Sequence, residues 1–263
     1  MSSDPVDIAV IGGTGFYSFL DEPEEHAVET PYGAPSAAVA VGSVAGSRVA
    51  FLPRHGAGHE LPPHRINYRA NLWALRSLGV RQVLAPCAVG GLRDDVAPGD
   101  VVVPDQLVDR TSGRTQTFVE TGAVHLPFAD PYCPRLTSAV AAADPSVTAG
   151  GTMVVVEGPR FSTRAESRHY AAQGWSLINM TGHPEAVLAR EMRQCYAAIA
   201  LVTDMEAGSG VGQEEVFALF RANLERLKGL LTRAIEMLPD PGGCSCSAWA
   251  DDLELTYDVP GDA

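Results

Sequence analysis

Apolar positions in this chain come in short runs, separated by Gly- and Pro-rich turns and by longer stretches of helical period. Asp7 to Ile11 is a strand-length apolar run leading straight into Gly12-Gly13-Thr14-Gly15. Ala37–Val41 and Ser47–Leu52 are β-rich runs joined by glycine-containing turns, which predicts a hairpin. Arg65–Leu78 puts Ile66, Ala70, Trp73 and Leu78 on roughly one face, so a helix is expected. Gln82–Pro86 predicts a buried strand ending in a turn of small residues, Cys87-Ala88-Val89-Gly90-Gly91. Asp100–Val103, Gln106–Val108 and Gly151–Val156 predict strands, and Cys133–Ala143 a helix. The polar stretch Asp109–His125 has the look of a functional loop or an interface segment. Ser162-Thr163-Arg164-Ala165-Glu166 predicts a capped helix start with a carboxylate returning the bond.

The densest stretch is Trp175–Glu206. It reads as a strand (Ser176–Asn179), a turn (Met180-Thr181-Gly182), a helix opened by Pro184-Glu185 and ending at Arg193, and a strand (Tyr196–Val202). After a Gly-rich loop, Ala207–Gly212, the segment Gln213–Met237 predicts the longest helix, with Val216, Phe220, Leu224, Leu227 and Leu231 facing the core. Strands alternating with helices imply an α/β fold. One pattern runs throughout, so a single domain over residues 1–263 is expected, with residues 1–5 and 240–263 as peripheral tails.

At 263 residues with 46% hydrophobic content, the chain can bury a large core. A net charge of −13 argues against a nucleic-acid surface, yet one local Arg suffices to hold a small phosphate. No apolar run reaches membrane-spanning length, no charged-then-apolar leader opens the chain, and the five cysteines show no zinc spacing. The expectation is a cytoplasmic protein with reduced thiols, without membrane, nucleic-acid or metal partners; Cys244-Ser245-Cys246 is expected to be reduced in a loose tail.

In α/β sheets, ligands sit at the carboxyl ends of strands. There the chain places Thr181 and Gly182, whose hydroxyl and helix-start amides suit an oxyanion, and Asp204 and Glu206, which suit a purine edge with N–H donors. Gly12–Gly15 is a phosphate cradle or a plain tight turn; the full G-x-G-x-x-G is absent because Ser18 stands at the third glycine. Arg54-His55 at a strand end is a plausible anion clamp, although such a pair is commonly just a surface loop. Cys87 is more often a small buried hydrophobe than a nucleophile. Phe161, after a strand end, either stacks on a flat base or packs in the core.

Taken together, Ile11-Gly-Gly-Thr-Gly15, Pro53-Arg-His-Gly56, Asn67-Tyr68, Ala70–Leu75, Glu157-Gly-Pro-Arg-Phe-Ser-Thr163, Asn179-Met-Thr181, Pro184-Glu185 and Thr203-Asp204 resemble the trimeric purine nucleoside phosphorylases, most nearly the 5′-methylthioadenosine branch. The likeness runs from Ile8 to about Leu231. It implies a mixed, partly barrel-like central sheet flanked by helices, and homotrimers, sometimes paired into hexamers. It implies a phosphate site of Thr14, Arg54, His55, Cys87, the Ala88 backbone and Thr181. It makes Met180 the ribose platform, Phe161 and Ile178 walls around base and sugar, and Asp204 the acid facing the purine. His125 matches a residue lent to a neighbouring subunit. Catalysis would rest on Asp204, Thr181 and Arg54, with inorganic phosphate as co-substrate and no cofactor.

Two departures stand out. Cys87 replaces a common Thr, and a thiol donates weakly. Glu206 replaces a common Asp, which still favours a 6-amino purine. Aligning the last long helix places Gln213 in the 5′ pocket beside Val216 and Phe217. A Gln there suits a 5′-hydroxyl better than a methylthio group. The expected reaction is phosphorolysis of methylthioadenosine or adenosine to adenine and a ribose 1-phosphate. Alternatives are a 6-oxopurine or other 5′-substituted nucleoside, a nucleoside hydrolase, a dinucleotide-dependent oxidoreductase resting on Gly12–Gly15, and a non-catalytic nucleoside binder.

Overall fold

The computed structural model describes residues 6–13, 16, 19–205 and 212–261, with only the backbone at Gln213. Thr14 and Glu206, both expected at the site, and nearly all of the loop 207–212 lie outside the described residues.

Eleven strands among the described residues form one mixed sheet. In chain order they are β1 (Ile8–Gly12), β2 (Asp21–His26), β3 (Val39–Val44), β4 (Ser47–Pro53), β5 (Gln82–Gly91), β6 (Val101–Val103), β7 (Gln106–Arg110), β8 (Thr148–Ala149), β9 (Thr152–Val156), β10 (Leu177–Asn179) and β11 (Cys195–Met205). The helices are α1 (Tyr68–Ser77), α2 (Pro134–Ala143), α3 (Arg164–Ala172), α4 (Gly182–Glu191), α5 (Gln213–Ala222), α6 (Leu224–Met237) and α7 (Ser245–Ala248).

The strand β5 is the spine. One edge pairs in parallel with β11 over its whole length. The other edge pairs first with β1, through Gln82–Leu84, and then, antiparallel, with β10 at Gly90 and Gly91. The sheet therefore branches along β5, toward β1-β4-β3-β2 on one arm and β10-β9-β7 on the other.

Alternation along the strands builds two cores. Ala9, Ile11, Ala198, Ala200 and Val202 face the layer containing α1 and α4. Ile8, Val10, Ala197, Ile199 and Leu201 face α2 and α6. Such period-2 sorting follows from the pleat, and it sandwiches the central strands between helices on both faces.

Four expectations need correction. The strand β5 does not stop at Pro86: Cys87 to Gly91 continue it, because β11 and β10 offer hydrogen-bond partners along that length. Likewise β11 runs on through Thr203 and Asp204, with a bulge between Val202 and Asp204. The long C-terminal helix is broken into α5 and α6 at Asn223, whose side-chain amide donates to the Leu219 carbonyl at 3.0 Å and whose backbone leaves the helical region. Finally, the segment after Pro239 is a strap laid against the body, not a loose tail. Cys246 and Ala250 are buried, Trp249 Nε1 donates to the Arg190 carbonyl, and Tyr257 Oη donates to the Glu191 carbonyl. With Arg76 Nε on the Met192 carbonyl, three side chains bond to carbonyls at the C-terminal end of α4.

The strand β2 (DEPEEH) has no counterpart in the expected elements. Its five residues Asp21–Glu25 are exposed, and it forms one edge of the sheet through β3.

Candidate active site at the carboxyl ends of the central strands

The ends of β1 and β4 meet where Gly12 pairs with Pro53, and Arg54 follows at once. The Arg54 side chain turns inward and is 2% exposed. Its Nε and Nη2 bind both oxygens of Glu185 at 2.8 Å; Nη2 also donates to the Ile11 carbonyl at 2.9 Å and Nη1 to the Pro86 carbonyl at 3.1 Å. Glu185 is fully buried and also accepts from Tyr196 Oη at 2.8 Å. Burial opposes the Arg54 charge, but Glu185 more than restores it, so its pKa is raised. Four of five guanidinium N–H groups are thus engaged. One, on Nη1, has no partner among the described residues. Arg54 is therefore a single pre-aimed donor, not the open fork that its position implied.

His55 is bracketed by backbone. Its Nδ1 lies 2.8 Å from the Leu61 carbonyl, and a carbonyl only accepts, so Nδ1 carries the proton and Nε2 is left as an acceptor. Burial, with lesser effects from Arg54 and His59, pushes the ring's pKa down to about 4. His55 is consequently neutral near pH 7 and does not add a second positive charge to the clamp.

The loop from β10 into α4 is organised by Asn179. Its Oδ1 accepts from the amides of Thr181 at 2.8 Å and Gly182 at 2.7 Å, while Nδ2 donates to the Ala88 carbonyl at 3.0 Å. The helix-start amides expected to hold an oxyanion are therefore already committed. What Thr181 brings is its hydroxyl, 3.4 Å from the same oxygen. Cys87 is buried, its thiol pushed up to about 12 by burial, so it is neutral. Arg54, His55, Cys87, Ala88 and Thr181 thus gather around the ends of β1 and β4, the middle of β5 and the start of α4.

The acid sits one strand over. Asp204 lies opposite Gly90 on β11, and Ile178 lies opposite the same Gly90 on β10. Asp204 and Ile178 therefore flank one glycine, about 10 Å apart at two strand spacings. Asp204 is 6% exposed, and Thr203 Oγ1 lies 2.9 Å from its Oδ1 and 3.2 Å from the Val89 carbonyl. Met180 closes this end: a Cβ on Gly158, which has φ +64°, would come within 2.6 Å of its Sδ. Arg114 ties the walls together, with Nη1 donating to the Met180 and His183 carbonyls and Nη2 to the Glu157 carbonyl.

Phe161 is 42% exposed on the loop into α3, which excludes the core-packing reading. Val216 is buried and Phe217 half-buried on α5; the Phe217 ring meets His59 edge-on at 5.2 Å, and His59 stacks on His55 at 4.4 Å. The expected 5′-pocket helix is therefore linked through two imidazoles to the anion end. His125 is exposed and lies two residues before Pro127, whose carbonyl accepts from Arg190. Arg190 is six residues along the regular part of α4 from Pro184, about 9 Å of helix beyond a break at His183. His125 is thus not gathered with this chain's own cluster.

A family model described as the phosphorylase superfamily matches residues 7–236. The chain belongs to this superfamily. It is 56% identical to an S-methyl-5′-thioadenosine phosphorylase of Mycolicibacterium smegmatis, over 96% of this chain and 99% of that one. It is also 56% identical to a purine nucleoside phosphorylase of Streptomyces coelicolor, over 92% and 93%. Among solved structures, methylthioadenosine phosphorylase from Schistosoma mansoni in complex with tubercidin superposes with a TM-score of 0.83 at 37% identity, covering 88% of this chain and 91% of that one. The mixed sheet and flanking helices are those of a phosphorylase, as the motifs implied.

Within this phosphorylase, Glu185, Asn179 and Arg114 are the site-forming residues whose roles the sequence did not disclose. Pro184-Glu185 and Asn179 stood inside quoted motifs, but a helix-start carboxylate ordinarily points to solvent. Nothing in the pattern marked Arg114 within its polar loop.

Replacing Glu185 by Gln leaves a buried guanidinium charge without its partner. The expected cost is about 3–5 kcal/mol in urea unfolding. A loss below about 1 kcal/mol would show that the pair is not buried as described. Acid has a second effect. Folded His55 resists protonation down to about 4 while the unfolded chain protonates near 6.5, so unfolding free energy falls as pH drops through that window and is flat above it. His59 and His183, also shifted down by burial, act in the same sense. His55→Gln should make the slope shallower; an unchanged slope would show that the ring is not buried neutral.

Proposed function

We propose that this protein cleaves 5′-methylthioadenosine by phosphorolysis, giving adenine and 5-methylthioribose 1-phosphate, with adenosine as a second substrate. The observation that carries the proposal is the division of labour across β5. A neutralised, pre-aimed arginine and two hydroxyl or imidazole groups lie on one side, and a buried carboxylate lies on the other.

Phosphate binds at the ends of β1 and β4 and the middle of β5, taking the remaining Arg54 N–H, the Thr181 hydroxyl and the Ala88 backbone; Thr14 completes the set. His55 Nε2, an acceptor, meets a protonated phosphate oxygen, while Cys87 contributes a weak donor. Ribose lies over Met180 and beside Ile178, with Phe161 covering the base. The C1′–N9 bond stretches first, leaving positive charge on the sugar and negative charge on the purine. Asp204 supplies a proton at N7, and a phosphate oxygen then closes on C1′ from the opposite face. Thr203, 2.9 Å from Asp204 Oδ1, fixes the carboxyl's orientation. Positioning and charge placement supply the rate, with no covalent enzyme intermediate and no metal in the reaction.

The 5′ group faces Val216 and Phe217 on α5, an apolar wall that favours methylthio. Glu206 and Gln213 join the base and 5′ ends respectively in this reading. The two relatives quoted above carry different names, a methylthioadenosine phosphorylase and a purine nucleoside phosphorylase, which keeps adenosine as the second reading. His125, exposed at the far end of α4, serves a neighbouring copy's pocket, so the active form is a homotrimer, possibly paired into a hexamer. Among the described residues no helix is long and apolar enough to cross a membrane, and all five cysteines are free, in keeping with a cytoplasmic setting.

Release of the free base, adenine from methylthioadenosine and adenosine or hypoxanthine from inosine, each with and without phosphate, tests the reading. Phosphate-dependent release from methylthioadenosine above adenosine is expected. Inosine as preferred substrate, or turnover without phosphate, would overturn it. Asp204→Asn should lower kcat by about 10²–10⁴ while nucleoside binding persists. Loss of binding alone would remove Asp204 from the chemistry.

A further inference from the structure

Four of the five cysteines converge at the opposite end of β11 from Asp204. Cys133 caps α2, Cys195 opens β11, and Cys244 and Cys246 bracket the start of α7 in the C-terminal strap. All four sulfurs lie within 4.8 Å of one another, with Cys195 and Cys244 3.4 Å apart. We propose that Cys133, Cys195, Cys244 and Cys246 form a tetrathiolate site for one zinc ion that fastens the strap to the body of the protein.

The geometry supports a shared centre over separate pairs. Cys133, Cys195 and Cys246 are each in contact with the other two, and Cys244 joins through Cys195. Zinc–sulfur bonds of about 2.3 Å in a regular tetrahedron put the sulfurs about 3.8 Å apart, close to the spacing here. A disulfide needs about 2.05 Å, and none of the five cysteines is bonded to another. Three of the four sulfurs are buried and Cys244 is half-buried, as in a closed structural site.

The surroundings suit thiolates. Backbone amides of Arg135 and Leu136, in the first turn of α2, donate to the Cys133 sulfur. Arg135 Nη1 lies 3.9 Å from Cys244 Sγ, and the Arg190 charge acts on Cys246. Four thiolates around a divalent ion carry two excess negative charges, which two arginines offset. Binding displaces the thiol protons to solvent, with no change of oxidation state. The site stands nine residues, about 30 Å, along β11 from Asp204, so its role is structural. Cys133 and Cys195 stand 62 positions apart and Cys244 follows Cys195 by 49, so the sequence carries no zinc spacing; the four come from different elements.

The full-length protein, purified without chelators or immobilised metal and desalted after exposure to zinc, should hold one zinc per chain by elemental analysis. Cobalt in its place should show the intense ligand-field and sulfur-to-metal bands of a tetrahedral thiolate site. Cys244→Ser/Cys246→Ser should lose the metal and soften the strap in hydrogen exchange. If that variant does not fold, wild-type stoichiometry and the cobalt spectrum still decide. Metal-free protein would overturn the proposal in either form: a denatured mass lower by four hydrogens would mean two disulfides, and full alkylation at the unreduced mass would mean four idle thiols. Another metal at full occupancy would overturn the choice of zinc.

Discussion

The buried pair of Arg54 and Glu185 is the constraint on which the rest of the site depends. An unpaired charge at that depth is costly, so the two side chains must meet with their oxygens and N–H groups matched. Meeting there fixes the start of α4 against the ends of β1 and β4 and the middle of β5, since Arg54 also holds the Ile11 and Pro86 carbonyls. Tyr196 on β11 adds a third anchor to Glu185. A single ionic contact thus sets the spacing between the Arg54 end and the strand that carries Asp204. It also leaves the arginine locally neutralised, presenting a directed donor and not a bare charge.

Much of this was legible in the chain. The unbroken apolar runs of β1 and β11 report two buried faces, and Ser162–Glu166 reports the cap of α3, where Thr163 and Glu166 exchange bonds. Arg54 follows β4 and Thr181 follows β10 as expected, whereas Asp204 lies within β11, opposite Gly90. What stayed hidden depends on partners distant in sequence. Cys87–Gly91 looks like a turn until β10 and β11 are there to pair with it. The amides of Thr181 and Gly182 look available until Asn179 is seen to take them. Asn223 looks like any polar face of a long helix, and its bond to Leu219 is a local competition that helical period does not register. The strap's polar composition conceals Cys246, Trp249 and Tyr257, which find their places only against α4.

The helix α4 joins the two ends of the molecule. Its first turn supplies Glu185 and the Thr181 loop; its last supplies the carbonyls that the strap and Arg76 satisfy. Anchored at both ends, with a break at His183 before its regular part, it holds the loop after β10 against the sheet.

The edge strand β2 has a consequence for how copies of this protein meet. A free strand edge invites another sheet to add to it. Here that edge carries Asp21, Glu22, Glu24 and Glu25, and Pro23 has no N–H to offer. Like charges on two such edges repel, and the missing donor breaks any continuous ladder. Growth of the sheet from one molecule into the next is therefore blocked on this arm, and any assembly of copies has to use other faces.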